Sequence, residues 1–224
     1  MYEREVHYSL THALAAAAGF DASIDAQTIA AQDQYVDEDP KTQPMPTGTW
    51  DVVSKANYNR LRDFHFVTSK RLDVLDQQWR STGSLIALGT YLHAFQDSYS
   101  HVGLGPGTGQ IGTYVDEQGV MRRGEVHSSR WHEVDDPSKR PGWALTMAKN
   151  TYGILVDAVT ICSRKGTVRA TYSPWSWKSI SGMVGNFCVE PNANTRAHIA
   201  DQLLQKIARS QSGVVGSAGM RRSA

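Results

Sequence analysis

The sequence predicts an all-α protein: a single-domain bundle of about six to eight helices over residues 1–210, with a Gly-rich loop insertion near 102–126 and a flexible tail at 211–224. Three observations predict it. Apolar residues recur at helical intervals along most of the chain, alternating patterns that would make strands scarcely register, and clusters of Pro and Gly punctuate the periodic stretches. At 224 residues one domain is expected, long enough to bury a substantial core.

The elements follow in order. Val6, Leu10, Leu14 and the alanines predict a first helix over residues 4–18 that carries His7 and ends at Gly19. A second begins after Asp21 or Ser23 as capping residue and runs to about Asp37, stopping before Pro40. Residues 40–56 contain three prolines and read as a loop. "LDVLDQQW", residues 72–79, is amphipathic, and Ser81 or Thr82 is expected to cap the next helix, "SLIALGTYLHAFQDSYSHV". Gly103, Gly105, Gly107, Gly109 and Gly112 then exclude a regular helix, and a short hairpin is expected around "GTYVDEQGVMRRG". Pro141 is placed at the first turn of a long helix with a wide apolar face, and residues 175–189 and 193–209 form two more. The Gly, Ser and Ala content after Ser210 predicts a frayed end.

Composition bounds the function. A formal net charge of +1 gives no general electrostatic case for nucleic acid or an anionic membrane, although Arg122, Arg123, Arg221 and Arg222 are local basic points. No run of about 18–20 apolar residues is present to span a bilayer, so no transmembrane segment is expected. The N-terminus lacks the basic start and apolar core of a secretory signal, which places the chain in the cytoplasm, or makes it an excised domain, or has it secreted by a route without a cleaved signal peptide. Cys162 and Cys188 have no CxxC spacing and read as two buried thiols, with a single disulfide as the alternative.

Chemistry concentrates in "YLHAFQDSYSH", residues 91–101. His93, Asp97 and His101 lie four apart on one stripe of a helix, and His93 and His101 are about 12 Å apart along the axis, too far to share one ion comfortably. Asp97 between them suits a multinuclear site in which it bridges ions. A lone HxxxD arises often by chance; the other histidines raise its meaning, since seven of the eight fall in residues 1–132. His132 has Asp136 four residues on, with Asp135 and Glu133 nearby. His65 lies between two phenylalanines, an apolar setting that favours neutral imidazole. Asp33 and Asp37 are four apart near a helix C-terminus, where two carboxylates are unfavourable unless a cation compensates. His7 is the candidate from the first helix; His12 points elsewhere and reads as a core or surface histidine, and His198 as structural.

These stretches resemble the zinc-dependent phospholipase C and single-strand nuclease superfamily, and are closer still to an uncharacterised bacterial branch of it. The resemblance rests on "HYSLTHALAAAAGF", "IAAQDQYVDED", "LHAFQDSYSH" and "HEVDDPSKRPGWALTMAKNTYGIL" and covers about residues 5–157. It implies an all-α fold and two or three zinc ions: one near His65, His93 and either Asp33 or Asp37; a second held by His101, His132 and Asp136; a third using His7, with Asp97 shared. Asp33 or Asp37 is the candidate general base.

The reaction that follows is zinc-dependent hydrolysis of a phosphodiester by metal-activated water, with no protein nucleophile. Phospholipid is favoured over single-stranded nucleic acid because no extended basic track is present. The Gly-rich loop with Arg122 and Arg123 could close over the phosphate, and Trp131, Trp143, Trp175 and Trp177 could line the cleft, although such aromatics belong more often to a core. The rival readings are a nuclease of the same superfamily and a non-catalytic, metal-stabilised interaction module. By analogy alone, the site also suits a delivered antibacterial effector, whose partners would be an immunity protein and secretion machinery.

Overall fold

The computed structural model describes residues 4–43, 59–100, 111–115, 121–125 and 135–219. The N-terminal stretch is helical as its periodicity predicts, but its first turns, Glu5–Leu10, are wound as a π-helix before α1, Thr11–Ala18, takes over. Ala13 and Ala15 to Ala18 are all buried. A helix with so little side-chain bulk can be approached closely on every side, and α1 packs on three other helices: α2 (Asp25–Glu38), α5 (Pro141–Lys165) and α7 (Ala193–Gly219). Gly19 ends α1 at φ 112°, where a Cβ would stand 2.3 Å from the carbonyl oxygen of Tyr172. Only glycine meets both demands.

The remaining elements are α3 (Ser69–Thr82), α4 (Leu85–Ser100) and α6 (Trp177–Val189). The architecture is all-α, with α4 lying between α2, α3 and α5. The start of α4 differs from expectation in its cap. The Ser84 hydroxyl accepts from Ala87 N at 3.2 Å, while Thr82 belongs to the end of α3 and accepts from Ser84 N. Gly83, left-handed at φ 68°, separates the two helices, so the cap falls after it.

Within the Gly-rich insertion, β1 (Ile111–Val115) pairs antiparallel with β2 (Met121–Glu125), in the register Ile111 to Glu125 and Val115 to Met121. This is the expected hairpin, and it places Arg122 and Arg123 on its second strand. The flexible tail expected from residue 211 starts too early, because α7 continues to Gly219. Gln211 is buried: its amide donates to the carbonyls of Ala16 and Phe20 and accepts from Ala22 N, which ties α7 to the end of α1. Composition predicted fraying there, and tertiary hydrogen bonds override it.

Cys162 and Cys188 are free and buried. Burial pushes both thiols up, Cys188 to about 12, which keeps them protonated and unreactive near neutrality. Trp175 and Trp177 pack against the core, whereas Trp143 is half-exposed. No helix among the described residues is long and apolar enough to cross a membrane.

A buried cation also fastens the last third of the chain, on which no sequence motif falls, to the rest. Arg196 on α7 donates from Nε and Nη2 to Glu5 Oε1 at 3.0 and 2.6 Å, and from Nη1 to Asp136 Oδ1 at 3.0 Å and the Glu190 carbonyl at 2.7 Å. Two carboxylates and a carbonyl thus satisfy a guanidinium that would be costly to bury alone. Glu5 lies two residues before His7, so the same clamp steadies the π-helical turns that deliver that histidine.

Candidate metal centre

The site forms where α2 and α4 approach most closely. A Cβ built on Gly89 of α4 would meet the Ile29 carbonyl oxygen at 2.6 Å and Gln32 Cβ at 2.7 Å. One turn further on, the contact becomes a hydrogen bond, with His93 Nδ1 donating to the Asp33 backbone carbonyl at 2.8 Å. Gly89→Ala is therefore expected to push the helices apart. Alanine's better helix propensity is worth about 1 kcal/mol, but overpacking against backbone costs about 1–3 kcal/mol. The expected net is a modest loss of stability with a larger loss of metal affinity, read by thermal unfolding and metal titration of the same sample.

Two histidines reach the site from π-helical segments, His7 from Glu5–Leu10 and His65 from Leu61–His65. Such turns are uncommon and concentrate at functional sites, because one extra residue per turn redirects a side chain. His65, His93 and Asp97 are fully buried, and Asp37, 15 % exposed, stands at the edge.

Four side-chain atoms from three elements converge: His65 Nδ1, His93 Nε2, Asp37 Oδ1 and Asp97 Oδ2. His65 Nδ1 is 3.1 Å from His93 Nε2, 3.1 Å from Asp97 Oδ2 and 3.7 Å from Asp37 Oδ1. His93 Nε2 is 3.4 Å from Asp97 Oδ2 and 3.6 Å from Asp37 Oδ1. Ligands at zinc distances of ~2.0–2.1 Å in a tetrahedron lie ~3.3–3.4 Å apart, and these five separations bracket that edge. The far nitrogens are engaged too: His65 Nε2 donates to the Thr42 carbonyl at 2.8 Å, as His93 Nδ1 does to Asp33. Each bond leaves the inward nitrogen as the lone-pair atom, the usual arrangement for metal-ligating imidazole.

His7 stands on the other side of His93, the rings stacked with centroids 4.2 Å apart. Its Nε2 is 3.4 Å from Asp97 Oδ1 and 4.0 Å from Asp37 Oδ2, the second oxygens of the two carboxylates just described. Its Nδ1 meets Gln96 Oε1 at 3.0 Å and Asp33 Oδ1 at 3.0 Å. Asp33 Oδ1 is also 3.5 Å from His93 Nδ1, so His7, Asp33 and His93 form a second buried group that could hold an ion, while Asp33 Oδ2 accepts from the Thr11 hydroxyl at 2.8 Å. The two aspartates, left as alternatives by the sequence, have separate places: Asp37 among the converging atoms, Asp33 behind His7.

The charge balance calls for a cation. Asp33, Asp37 and Asp97 lie together in the interior, and among the described residues no Lys or Arg reaches them. Oδ1 of each also lacks a hydrogen-bond donor there. Without metal the histidines take up protons instead. Burial and His7 push His93 down, but Asp37 and Asp97 outweigh them and raise it to about 9. Burial likewise opposes protonation of His7, and Asp33 and Asp97 overcome it, holding His7 well above the ordinary value. For His65 burial dominates and the pKa falls. Burial disfavours ionised Asp97, yet His93, His65 and His7 hold it well below the usual carboxylate range.

The structure therefore brings together His7, Asp33, Asp37, His65, His93 and Asp97. His101 and His132 lie outside the described residues, as do His127 and Trp131. Asp136, expected as a ligand beside His101 and His132, accepts through Oδ1 from Ser138 N and Arg196 Nη1, capping the short 3₁₀ turn Pro137–Lys139. An Asx cap before proline was the competing use of that residue. His12 Nε2 donates to the Ala22 carbonyl, and His198 pairs with Gln202 on the surface, both apart from the cluster. Sequence reasoning missed Thr11 and Gln96. Gln96 is three residues after His93 and so on an adjacent face of the helix, the one signal available.

A family model described as "Family of unknown function (DUF6765)" matches residues 2–81. The match spans His7, Asp33, Asp37 and His65 and ends before α4, which carries His93 and Asp97. No curated protein and no solved structure shows a significant match.

Proposed function

We propose that this chain is a zinc-dependent phosphodiester hydrolase, with phospholipid as the favoured substrate class. The observation that carries the reading is the set of five donor separations, 3.1–3.7 Å, among His65, His93, Asp37 and Asp97. Imidazole and carboxylate donors without cysteine fit a catalytic ion better than a structural one. These four residues would hold one ion; His7 Nε2, with the second oxygens of Asp97 and Asp37, would serve another. Bound zinc supplies Lewis acidity and a water that ionises near pH 7.

The chain's own residues divide the remaining work. Thr42 and the Asp33 carbonyl orient His65 and His93. Asp37 is the cluster carboxylate with exposed surface among the described residues, so substrate and water enter at its side. The near-neutral chain supports a small headgroup ester over a polynucleotide.

The test begins with elemental analysis of untagged protein, followed by hydrolysis assays on a chromogenic phosphodiester, phosphatidylcholine vesicles and single-stranded DNA, with and without chelator. The expected result is bound zinc, phosphodiester hydrolysis with preference for the lipid, and a rate drop of about 10³-fold on chelation, since such an ion contributes several kcal/mol to the transition state. Preference for DNA would move the substrate assignment. Absence of zinc binding would end the reading.

A further inference from the structure

A polar ring lies behind His7 in the interior. It closes through four buried side chains from four segments: His7 Nδ1 to Gln96 Oε1 at 3.0 Å, Gln96 Nε2 to Thr11 Oγ1 at 2.8 Å, Thr11 Oγ1 to Asp33 Oδ2 at 2.8 Å, and Asp33 Oδ1 back to His7 Nδ1 at 3.0 Å. The direction of each bond is dictated by chemistry. Asp33 is an acceptor, so the Thr11 hydroxyl donates to it; that hydroxyl then accepts from the Gln96 amide nitrogen. The amide can therefore turn only its oxygen to His7, and His7 must carry its proton on Nδ1. Asp33 Oδ1 is equally near and holds the proton on Nδ1 in the same sense as Gln96. Nε2, the nitrogen on the far side of the ring, then faces Asp97 Oδ1, 3.4 Å away. In the metal-free protein a proton fills that gap, and a metal ion would take its place.

We infer that Gln96, braced by Thr11, is a positioning residue that makes His7 a metal ligand distinct from the His65–His93–Asp37–Asp97 set. This rests on the metal-centre reading above, and adds to it which residues outside the ligand shell create the His7 position. A purely packing role for Gln96 would affect all ions alike. The inferred role affects one.

The experiment is a calorimetric zinc titration of the metal-free full chain, with His7→Ala identifying which equivalent depends on His7. In Gln96→Leu that same equivalent is expected to weaken by about 10–100-fold, the usual cost of losing an outer partner of a ligating histidine, while the others bind as in wild type. Thr11→Val, which keeps the shape and removes the brace, is expected to act on the same equivalent to a smaller extent, and covers the case of Gln96→Leu failing to fold. The inference is overturned if the His7-dependent equivalent is unchanged in both variants, or if all equivalents weaken together. Wild type binding zinc with no equivalent lost in His7→Ala would overturn it and leave the four-residue site standing, whereas no zinc binding at all would overturn both.

Discussion

On the proposed function, Asp97→Ala is expected to abolish zinc binding and reduce hydrolysis to background, a loss of at least about 10³-fold. The size follows from its position. Its Oδ2 is 3.1 Å from His65 Nδ1 and 3.4 Å from His93 Nε2, while Oδ1 is 3.4 Å from His7 Nε2, so one carboxylate serves both sides of the cluster. Removing it leaves three buried imidazoles with too little negative charge to hold divalent ions close together. Asp33→Ala makes the contrast. Asp33 is also fully buried and also touches His7, but through Nδ1, the nitrogen turned away from the cluster. That variant is expected to weaken zinc by only about 10–100-fold and to keep activity at saturating metal. Elemental analysis beside activity at rising zinc separates the two. Equal losses in both variants would mean that the two carboxylates share one role.

How far this site is legible in the sequence depends on the kind of information each residue carries. His93 and Asp97 share a helix, so their common stripe is a matter of spacing alone. The pairing of α2 with α4 was not readable, because it turns on Gly89, and an isolated glycine in a helical pattern looks merely tolerated until its neighbour is known. For the same reason Asp33 and Asp37 stayed equivalent: both sit on one face, and the choice between them depends on where His7 and His65 enter. Those entries are set by π-helical turns, which periodicity at 3.6 residues cannot anticipate. Asp136 has a use that its spacing from His132 does not reveal, since the aspartate before proline caps a turn and accepts from Arg196. The end of α7 was misjudged because composition is silent about a single glutamine, Gln211, bonded into the loop after α1.

Stability should depend on pH in opposite ways with and without metal. In the metal-free protein His93 has a pKa raised to about 9 from an unfolded value of about 6.5. A raised basic group stabilises fully below its unfolded pKa and loses that contribution as pH rises through the folded one. For His93 the loss between about pH 6.5 and 9 is on the order of 3 kcal/mol, and His7, raised well above its ordinary value, adds to it in the same direction. Asp97 has the opposite sign: held well below the carboxylate range, it stabilises above about pH 4 and loses its contribution as pH falls further. His65 and His12, both pushed down by burial, lose stability in the other direction as pH falls below about 6.5, so the metal-free protein is expected to be most stable near pH 6.5 and to weaken towards pH 9. Zinc needs the imidazole lone pairs that protons otherwise occupy, so its binding releases protons and strengthens as pH rises. The gap between the zinc-loaded and metal-free unfolding midpoints should widen from pH 6 to 9, measured by urea denaturation with chelator or with excess zinc. A metal-free protein whose stability holds level across that range would mean that the carboxylates do not retain protons on His7 and His93, and with that the electrostatic case for a cation at their centre would fail.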